Sequence, residues 1–212
     1  MVRILTEDTA EKFLKRFIPV AKGILTCNLK QAGGYAKKLS YPLVLKIISK
    51  QALHKSDIKG VRIVNTRREF EENYVDLLNI AKKRKLKLKG IILQEYVKGK
   101  EIIIGINYDP TFGHVIMLGT GGTLVEVLKD ITFRACPIDE KDAQSMINDL
   151  KLKKVLYGVR GEKAVNINFL KQCLVKVSKI PLRYKNIKEL DINPFIINEH
   201  YGKVADARIV FT

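Results

Sequence analysis

Hydrophobic and polar residues follow two different spacings along this chain, and the spacing changes many times between its ends. Apolar residues three and four positions apart predict helices, because that spacing places them on one helical face. This pattern covers about 7–17, 29–39, 66–83, 139–150 and 166–180. Apolar runs and strict alternation predict strands at 23–26, 42–48, 60–64, 90–97, 101–107, 114–118, 187–197 and 203–211. Helices and strands mix without regular parallel alternation, which favours the α+β class.

The two strands predicted at the end of the chain carry polar residues at alternate positions. Glu189, Asp191 and Asn193 share one face of the first strand, because side chains alternate between faces. A hairpin centred between residues 199 and 200 would set Asn193 opposite Asp206, on a face that Asp206 shares with Arg208. Asp191, Asn193 and Asp206 would then converge.

Convergent oxygen ligands of this kind suit Mg²⁺, which takes one or two carboxylates and shares its other positions with water and phosphate. Pro194 is expected to end the strand pairing just past Asn193. The alternative is a polar strand that simply faces solvent, and it stays open on this pattern alone.

Possible partners for phosphate lie elsewhere in the chain. Lys46 falls on an apolar strand, where burying an unpaired ammonium group is unfavourable. Either a phosphate could pair with the ammonium, or the side chain could extend to solvent at the end of the strand. Arg134 and the glycine-rich turn at 119–122, with Gly121 and Gly122, could also meet an anion. A tight turn explains the glycines equally well.

A polar connection between the predicted strands at 42–48 and 60–64 contains His54, together with Ser56, Asp57 and two lysines. An imidazole can serve as a base, a metal ligand or a nucleophile near neutral pH. A solvated loop histidine is the alternative.

The net charge of +17 indicates either a phosphate-bearing partner or a surface enriched in lysine, as in proteins from hot or salty habitats. The densest basic run, 82–89, has no interleaved aromatic residues, which weakens a nucleic-acid interpretation.

Three widely spaced cysteines form no CxxC pair, which fits a cytoplasmic protein. No apolar stretch is long enough to span a bilayer, so no membrane association is expected. Neither GxGxxG nor GxxxxGK[ST] is present.

Four stretches of the chain resemble one protein family. They are YPLVLKI (41–47), LHKSDIKGVRI (53–63), ILQEYVKGKEIIIGINYDPTFGHVIMLGTGGTLVEVLKDITFRACPI (92–138) and ELDINPFIINEHYGKVADARI (189–209). The chain resembles the β subunit of ADP-forming acyl-CoA synthetases (acetate–CoA ligase, ADP-forming), which are ATP-grasp proteins related to the succinyl-CoA synthetase β subunit. Two stretches depart from the pattern. The loop usually reads Asp-Ile-Gly-Gly, and here Lys59 replaces the first glycine; the glycine-rich turn at 119–122 reads Gly-Thr-Gly-Gly, which is a smaller change.

The resemblance implies one ATP-grasp domain over 1–212, with ATP or ADP held between two α/β lobes. The N-terminal lobe, about 1–92, would include the His54 loop, and the C-terminal lobe, about 93–212, would hold Mg²⁺ through Asn193 and Asp206. Lys46 would contact the nucleotide phosphates. Gln94, Glu95, Tyr96 and Val97 would hold the adenine, with Glu101 near the ribose. His54 would carry a phosphoryl group, and Asp191 would steady the phosphohistidine.

The implied reaction is acyl-CoA + ADP + phosphate ⇌ carboxylate + CoA + ATP, which makes the protein an acid–thiol ligase. It would need a CoA- and acyl-binding α subunit, in a heterotetramer of two α and two β subunits. Two alternatives remain: a basic nucleic-acid-binding protein on a degenerate ATP-grasp scaffold, and an ATP-grasp subunit that serves a different acyl group or is fused to a protein acetyltransferase domain.

Overall fold

The computed structural model describes residues 2–52, 55, 57–122, 130–159 and 161–212. These residues divide into two units: the larger comprises Met1–Val20 and Val97–Thr212, and the smaller is Ala21–Tyr96. Residues 1–20, which the resemblance places in the N-terminal lobe, belong to the larger unit by their contacts. The reason is that the first strand of the chain pairs with the last one, Arg3 opposite Phe211.

The larger unit is built on a seven-stranded antiparallel sheet. Its strands are β1 (Arg3–Leu5), β6 (Lys100–Asp109), β7 (Gly113–Thr120), β8 (Ile131–Ala135), β9 (Ile187–Ile197), β10 (Gly202–Val204) and β11 (Ala207–Phe211). Their order is β1-β11-β9-β6-β7-β8, and β10 pairs with β9. Its helices are α1 (Glu7–Leu14), α4 (Glu140–Asp149), α5 (Lys154–Tyr157), α6 (Ile167–Ser178) and α7 (Ile180–Arg183).

The helices of the larger unit cover one face of that sheet. Leu14 of α1, Met146 of α4 and Leu174 of α6 are fully buried in the same core cluster as Ile104 and Ile192 of the sheet. Alternate residues on the strands therefore point away from this core, toward the opposite face. That opposite face carries the polar residues of the terminal hairpin.

The smaller unit has a four-stranded antiparallel sheet in the order β2-β5-β3-β4. The strands are β2 (Gly23–Thr26), β3 (Leu43–Ser49), β4 (Val61–Val64) and β5 (Leu88–Glu95), and the helices are α2 (Leu29–Ala36) and α3 (Arg67–Lys83). Phe70, Tyr74 and Leu77 of α3 pack on Leu45 and Leu93 in this core. The buried Tyr74 hydroxyl donates to the carbonyl oxygen of Thr26 at 3.1 Å, so it keeps a hydrogen-bond partner.

The predicted helix starts are confirmed in their main features. The Thr66 hydroxyl accepts a hydrogen bond from the Glu69 N–H, but the Glu69 carboxylate reaches back to the N–H of Asn65 instead of Thr66. Asp139 opens α4 with a complete capping box. No helix in the described part of the chain is long and apolar enough to cross a membrane.

Candidate functional site

The acidic hairpin forms in the register that the sequence predicts. Asp191 pairs directly with Arg208, and the N–H of Asn193 donates to the carbonyl oxygen of Asp206 at 3.1 Å. Leu190 and Ile192 are buried in the core of the larger unit, so Glu189, Asp191 and Asn193 point to the opposite face. The structure therefore brings Asp191, Asn193 and Asp206 to one region of that face.

The expectation that Pro194 ends the strand pairing is wrong. Strand β9 continues to Ile197, and the carbonyl oxygen of Pro194 accepts a hydrogen bond from the N–H of Ala205 at 3.0 Å. The irregularity is instead a bulge in the pairing of β9 with β6: Ile102 pairs with Phe195 and Ile104 with Ile192, so β9 has one extra residue at Asn193 and Pro194. Such bulges redirect side chains, and this one lies beside Asn193, which is exposed.

The acidic side chains on this face interact with their charged neighbours. Arg208 forms an ion pair with Glu189. Burial raises the pKa of Asp191 from its ordinary value of 3.8 to about 6, helped by the charges of Glu189 and Asp206 and opposed by Arg208. A bound cation would favour the ionised carboxylates.

The donor set fits Mg²⁺ that shares its coordination shell with a ligand. Asn193 and Asp206 offer an amide oxygen and a carboxylate, which are hard oxygen donors. No group of three or more His, Cys, Asp or Glu residues that could hold a metal ion occurs within the described ranges. Water and phosphate oxygens would therefore have to supply most of the coordination shell, as is common for Mg²⁺.

Apolar side chains lie beside the acidic residues on the same face. Asp191 pairs with Gly105, Gly105 with Met117, and Met117 with Phe133, and directly paired residues share a face. Phe133 is 47% exposed. An apolar surface next to charged oxygens is typical of a site for a ligand with a ring and a charged tail. This apolar surface was not predicted from the sequence, although Met117 at an outward position of β7 is apolar.

Lys46 and Gln94 share a face of the smaller sheet. Val44 pairs with Gln94, and Lys46 follows Val44 by two residues on β3. Lys46 is 5% exposed and Gln94 is 1% exposed. The burial of Lys46 argues against the interpretation in which its ammonium extends to solvent at the strand end.

The residues predicted to hold adenine and ribose have different environments. The Glu95 carboxylate accepts a hydrogen bond from the N–H of Lys22 at 2.7 Å, which ties β5 to the start of β2. Tyr96 is 41% exposed and Val97 is buried. Glu101 is exposed, and its carbonyl oxygen accepts from the N–H of Gly121 at 2.7 Å.

Gly121 and Arg134, predicted as possible anion contacts, both have contacts within the protein. The Gly121 N–H is used by Glu101, and a side chain at Gly121 would lie 2.6 Å from the Glu101 backbone, so close approach explains this glycine. Arg134 pairs with Ile116, on the helix-covered face, and its guanidinium donates to Ser145 at 2.8 Å and to Asp149 at 2.5 Å. Gly122 has a φ of 95°, as a turn glycine does.

His54 lies outside the described residues. The chain after it is anchored, because the Gly60 N–H donates to the carbonyl oxygen of Lys55 at 2.7 Å and the Gly60 carbonyl accepts from the N–H of Ile47 at 2.9 Å.

A family model described as an ATP-grasp domain matches residues 2–211. The chain belongs to the ATP-grasp family. The predicted α+β ATP-grasp fold is thereby confirmed.

Two relatives connect this ATP-grasp chain to ADP-forming ligases. It is 43% identical to the 4-hydroxybutyrate–CoA ligase (ADP-forming) of Nitrosopumilus maritimus, over 97% of this chain and 30% of that protein. It is 39% identical to the β subunit of acetate–CoA ligase (ADP-forming) I of Pyrococcus furiosus, over 98% of this chain and 92% of that protein. The chain thus spans less than a third of the first relative and nearly all of the second.

The acetyl-coenzyme A synthetase 1 of Ca. Korarchaeum cryptofilum has a similar structure. Its complex with coenzyme A and Ca-AMPCP matches with a TM-score of 0.94 and 36% identity, over 99% of this chain and 94% of that one. Its complex with coenzyme A and Mg-AMPPCP, in which the phosphohistidine segment points towards the nucleotide binding site, matches with a TM-score of 0.85 and 34% identity, over 99% and 93%.

Proposed function

We propose that this chain is the nucleotide-handling β subunit of an ADP-forming acyl-CoA synthetase, which catalyses acyl-CoA + ADP + phosphate ⇌ carboxylate + CoA + ATP. The observation that carries the proposal is the cluster of Asp191, Asn193 and Asp206 on one sheet face of an ATP-grasp chain. The β subunit from Pyrococcus furiosus, matched over 92% of its length, supports the assignment.

Asn193 and Asp206 would hold Mg²⁺, which when bound neutralises phosphate charge. Lys46 would contact the nucleotide phosphates, with Gln94, Glu95, Tyr96 and Val97 around the adenine and Glu101 near the ribose. Phosphoryl transfer depends mainly on positioning and charge neutralisation, which these residue types supply.

His54 would be the phosphoryl carrier. A ring nitrogen of His54 attacks the phosphorus of a phosphohistidine on the partner subunit; one N–P bond forms as the other breaks. A β-phosphate oxygen of ADP then attacks the same phosphorus, so that an O–P bond forms, the N–P bond to His54 breaks and ATP results. Asp191 would steady the phosphorylated imidazole, since a carboxylate fixes the tautomer of a neighbouring ring.

The partner would be a CoA- and acyl-binding α subunit, in a complex of two α and two β subunits. We also propose a cytoplasmic location, because Cys27, Cys136 and Cys173 are all free thiols. Light scattering of the purified complex measures its stoichiometry, and a mass of one α and one β subunit would contradict the heterotetramer.

Radiolabelled phosphate tests the carrier role. Incubated with partner subunit, acyl-CoA and labelled phosphate, the chain should gain an acid-labile label that His54→Asn abolishes. His200→Asn is the matched control, because His200 is an exposed histidine at the tip of the β9–β10 hairpin. Full ATP formation by His54→Asn would show that the carrier role is wrong.

Calorimetry tests the metal ligands. Asn193→Ala and Asp206→Ala should each weaken Mg-ADP binding by about tenfold or more, because each removes a ligand oxygen. Asn148→Ala, an exposed position on α4, should bind as the parent does. Unchanged affinity in the first two variants would remove them from the metal site. Steeply salt-dependent DNA binding without nucleotide binding would favour the nucleic-acid alternative.

A further inference from the structure

A dense group of cations lies where helix α3 passes into strand β5 of the smaller unit. Residues 82–89, the basic segment, contain no aspartate or glutamate and six exposed lysines and arginines: Lys82, Lys83, Arg84, Lys85, Lys87 and Lys89. The helix end accounts for Lys82 and Lys83, because cations in the last turn complement the negative end of the helix dipole. The other four cations lie beyond the helix, so its dipole does not explain them.

Hydrogen bonds and packing hold the backbone of the basic segment in place. The N–H of Leu86 donates to the carbonyl oxygen of Ala81 at 2.9 Å, as in a Schellman helix ending. The N–H of Lys87 donates to the side-chain oxygen of Gln51 at 2.6 Å. Leu86 and Leu88 pack against the core of the smaller unit. The cationic side chains therefore project from a fixed support.

The chain segments beside the basic segment add cations and no acids. The Cys27 thiol donates to the carbonyl oxygen of Lys89 at 3.3 Å, which places the connection between β2 and α2 beside the segment. The bond from Lys87 to Gln51 places the end of β3 there as well. Each of these neighbours carries an exposed lysine, Lys30 or Lys50. Residues 21–52 contain no aspartate or glutamate at all.

Negative charge in the smaller unit is concentrated elsewhere. The acids of α3 all occur at or before Asp76, and three of them pair with nearby arginines: Glu71, Glu72 and Asp76. In the part of the chain that the structure describes, five cations of the basic segment form no salt bridge: Lys82, Lys83, Arg84, Lys85 and Lys87. A surface enriched evenly in lysine would mix the two signs of charge. Their separation here favours a polyanionic partner.

The composition of this surface fits nucleic acid better than protein. Among the described residues, none of the exposed large apolar side chains lies in 27–31, 49–52 or 82–89. Protein interfaces are built around cores depleted in lysine, whereas nucleic-acid interfaces are more polar and much more positively charged. The basic segment has no aromatic ring to stack on unpaired bases and no side-chain oxygen to accept from an RNA 2′-hydroxyl. These absences favour duplex DNA, which binds through its phosphates alone.

We propose that the basic segment binds the phosphate backbone of double-stranded DNA without regard to its sequence. The ammonium and guanidinium groups donate charge-assisted hydrogen bonds to phosphate oxygens, and binding releases counterions from the DNA. No base edge is contacted, so no sequence is preferred. This activity uses none of the residues proposed to handle the nucleotide, and it does not depend on the proposed function.

Fluorescence anisotropy tests the proposal: a labelled DNA duplex of random sequence is titrated with the full chain at several salt concentrations. The logarithm of the association constant should fall against that of the salt concentration with a slope of about −4 or steeper, because each neutralised phosphate contributes about −0.9. Lys83→Gln, Lys85→Gln and Lys87→Gln in one chain should make the slope shallower by about 3 and weaken binding about tenfold or more. Arginine at the same three positions should restore the affinity to within about twofold, because the charge is kept.

A second set of three substitutions is the control for net charge. Lys176→Gln, Lys179→Gln and Lys185→Gln remove the same charge from exposed positions of the larger unit, and together they should change the affinity by less than about twofold. The glutamine variant of the basic segment should bind Mg-ADP as the parent does. That result would show that its loss of DNA binding is not a loss of fold.

The possible failures are distinguishable. Absence of DNA binding at about 50 mM salt would overturn the proposal, and so would equal weakening by the two sets of substitutions. Tighter binding of single-stranded DNA or of duplex RNA would show that duplex DNA is the wrong ligand. Polyglutamate of equal charge that displaces the duplex at equal concentration would indicate an acidic protein partner instead. None of these outcomes touches the proposed synthetase function, which is tested by Mg-ADP binding and phosphoryl labelling.

Discussion

Replacing Asp191 with asparagine should stabilise the protein in the absence of metal and nucleotide. Burial, Glu189 and Asp206 disfavour the ionised carboxylate, and Arg208 offsets them only in part. Asparagine keeps the shape of the side chain and removes the charge. The ionised Asp191 carboxylate would therefore lower the stability of the protein when metal and nucleotide are absent. Favourable contacts with these partners would offset the destabilisation once they bind.

The size and pH range of the effect follow from the pKa of Asp191, which rises from 3.8 in an ordinary environment to about 6. The difference corresponds to about 3 kcal/mol. Because the side chain is only partly buried, we expect about 2 kcal/mol. Below pH 3.8 the carboxyl is protonated in both states and the substitution has little effect. Between pH 3.8 and pH 6, Asp191 is ionised in the unfolded chain but still protonated in the folded protein. The free energy of unfolding of the parent therefore falls as the pH rises. Above pH 6 the full difference is present.

Urea unfolding from pH 3.5 to 8, without Mg²⁺ or nucleotide, measures this difference. Asp191→Asn should match the parent at the acid end and exceed it at neutral pH. Glu140→Gln, an exposed position at the start of α4, should follow the parent throughout. A variant that is less stable than the parent at pH 7.5, or a difference that does not change with pH, would refute the electrostatic explanation.

Three further substitutions test local features by thermal or urea unfolding. Lys85→Gly should stabilise the chain by about 0.5–1 kcal/mol, because glycine tolerates the positive φ; a loss would mean that the lysine side chain contributes packing. Gly121→Ala should destabilise it by about 2 kcal/mol, since the new methyl group would meet the Glu101 backbone at 2.6 Å; Gly34→Ala in α2, with open space around it and no positive φ, is the comparison and should not destabilise the chain. Tyr74→Phe should cost about 1 kcal/mol by removing the buried hydrogen bond to Thr26, and an unchanged midpoint would show that water replaces it.

The acidic hairpin could be predicted from sequence because its signals are local. Polar residues alternate with apolar ones on both sides of a short turn, so burying Leu190 and Ile192 fixes the faces and the turn fixes the register. The observed pairing of Ile197 with Gly202 has the predicted centre. The same local logic located the start of α3 at Thr66.

Other features depend on contacts that are distant in sequence. Strand β1 has three residues and pairs only with the end of the chain, so no local pattern identifies it. Strand β8 was not predicted, and without it the face on which Arg134 lies could not be assigned from the sequence. Pro194 was expected to end the strand pairing, but β9 continues to pair with β10 beyond it. The extra residue of β9 shifts only the register of its pairing with β6.

The pairing of β1 with β11 has a consequence for the order in which the chain can fold during synthesis. Residues 21–96 form one continuous segment, so the smaller unit can fold as soon as it leaves the ribosome. The larger unit needs its first 20 residues and its last ones together, because Leu14 is part of its core and Arg3 pairs with Phe211. Strand β1 must therefore remain unpaired until β11 has been translated.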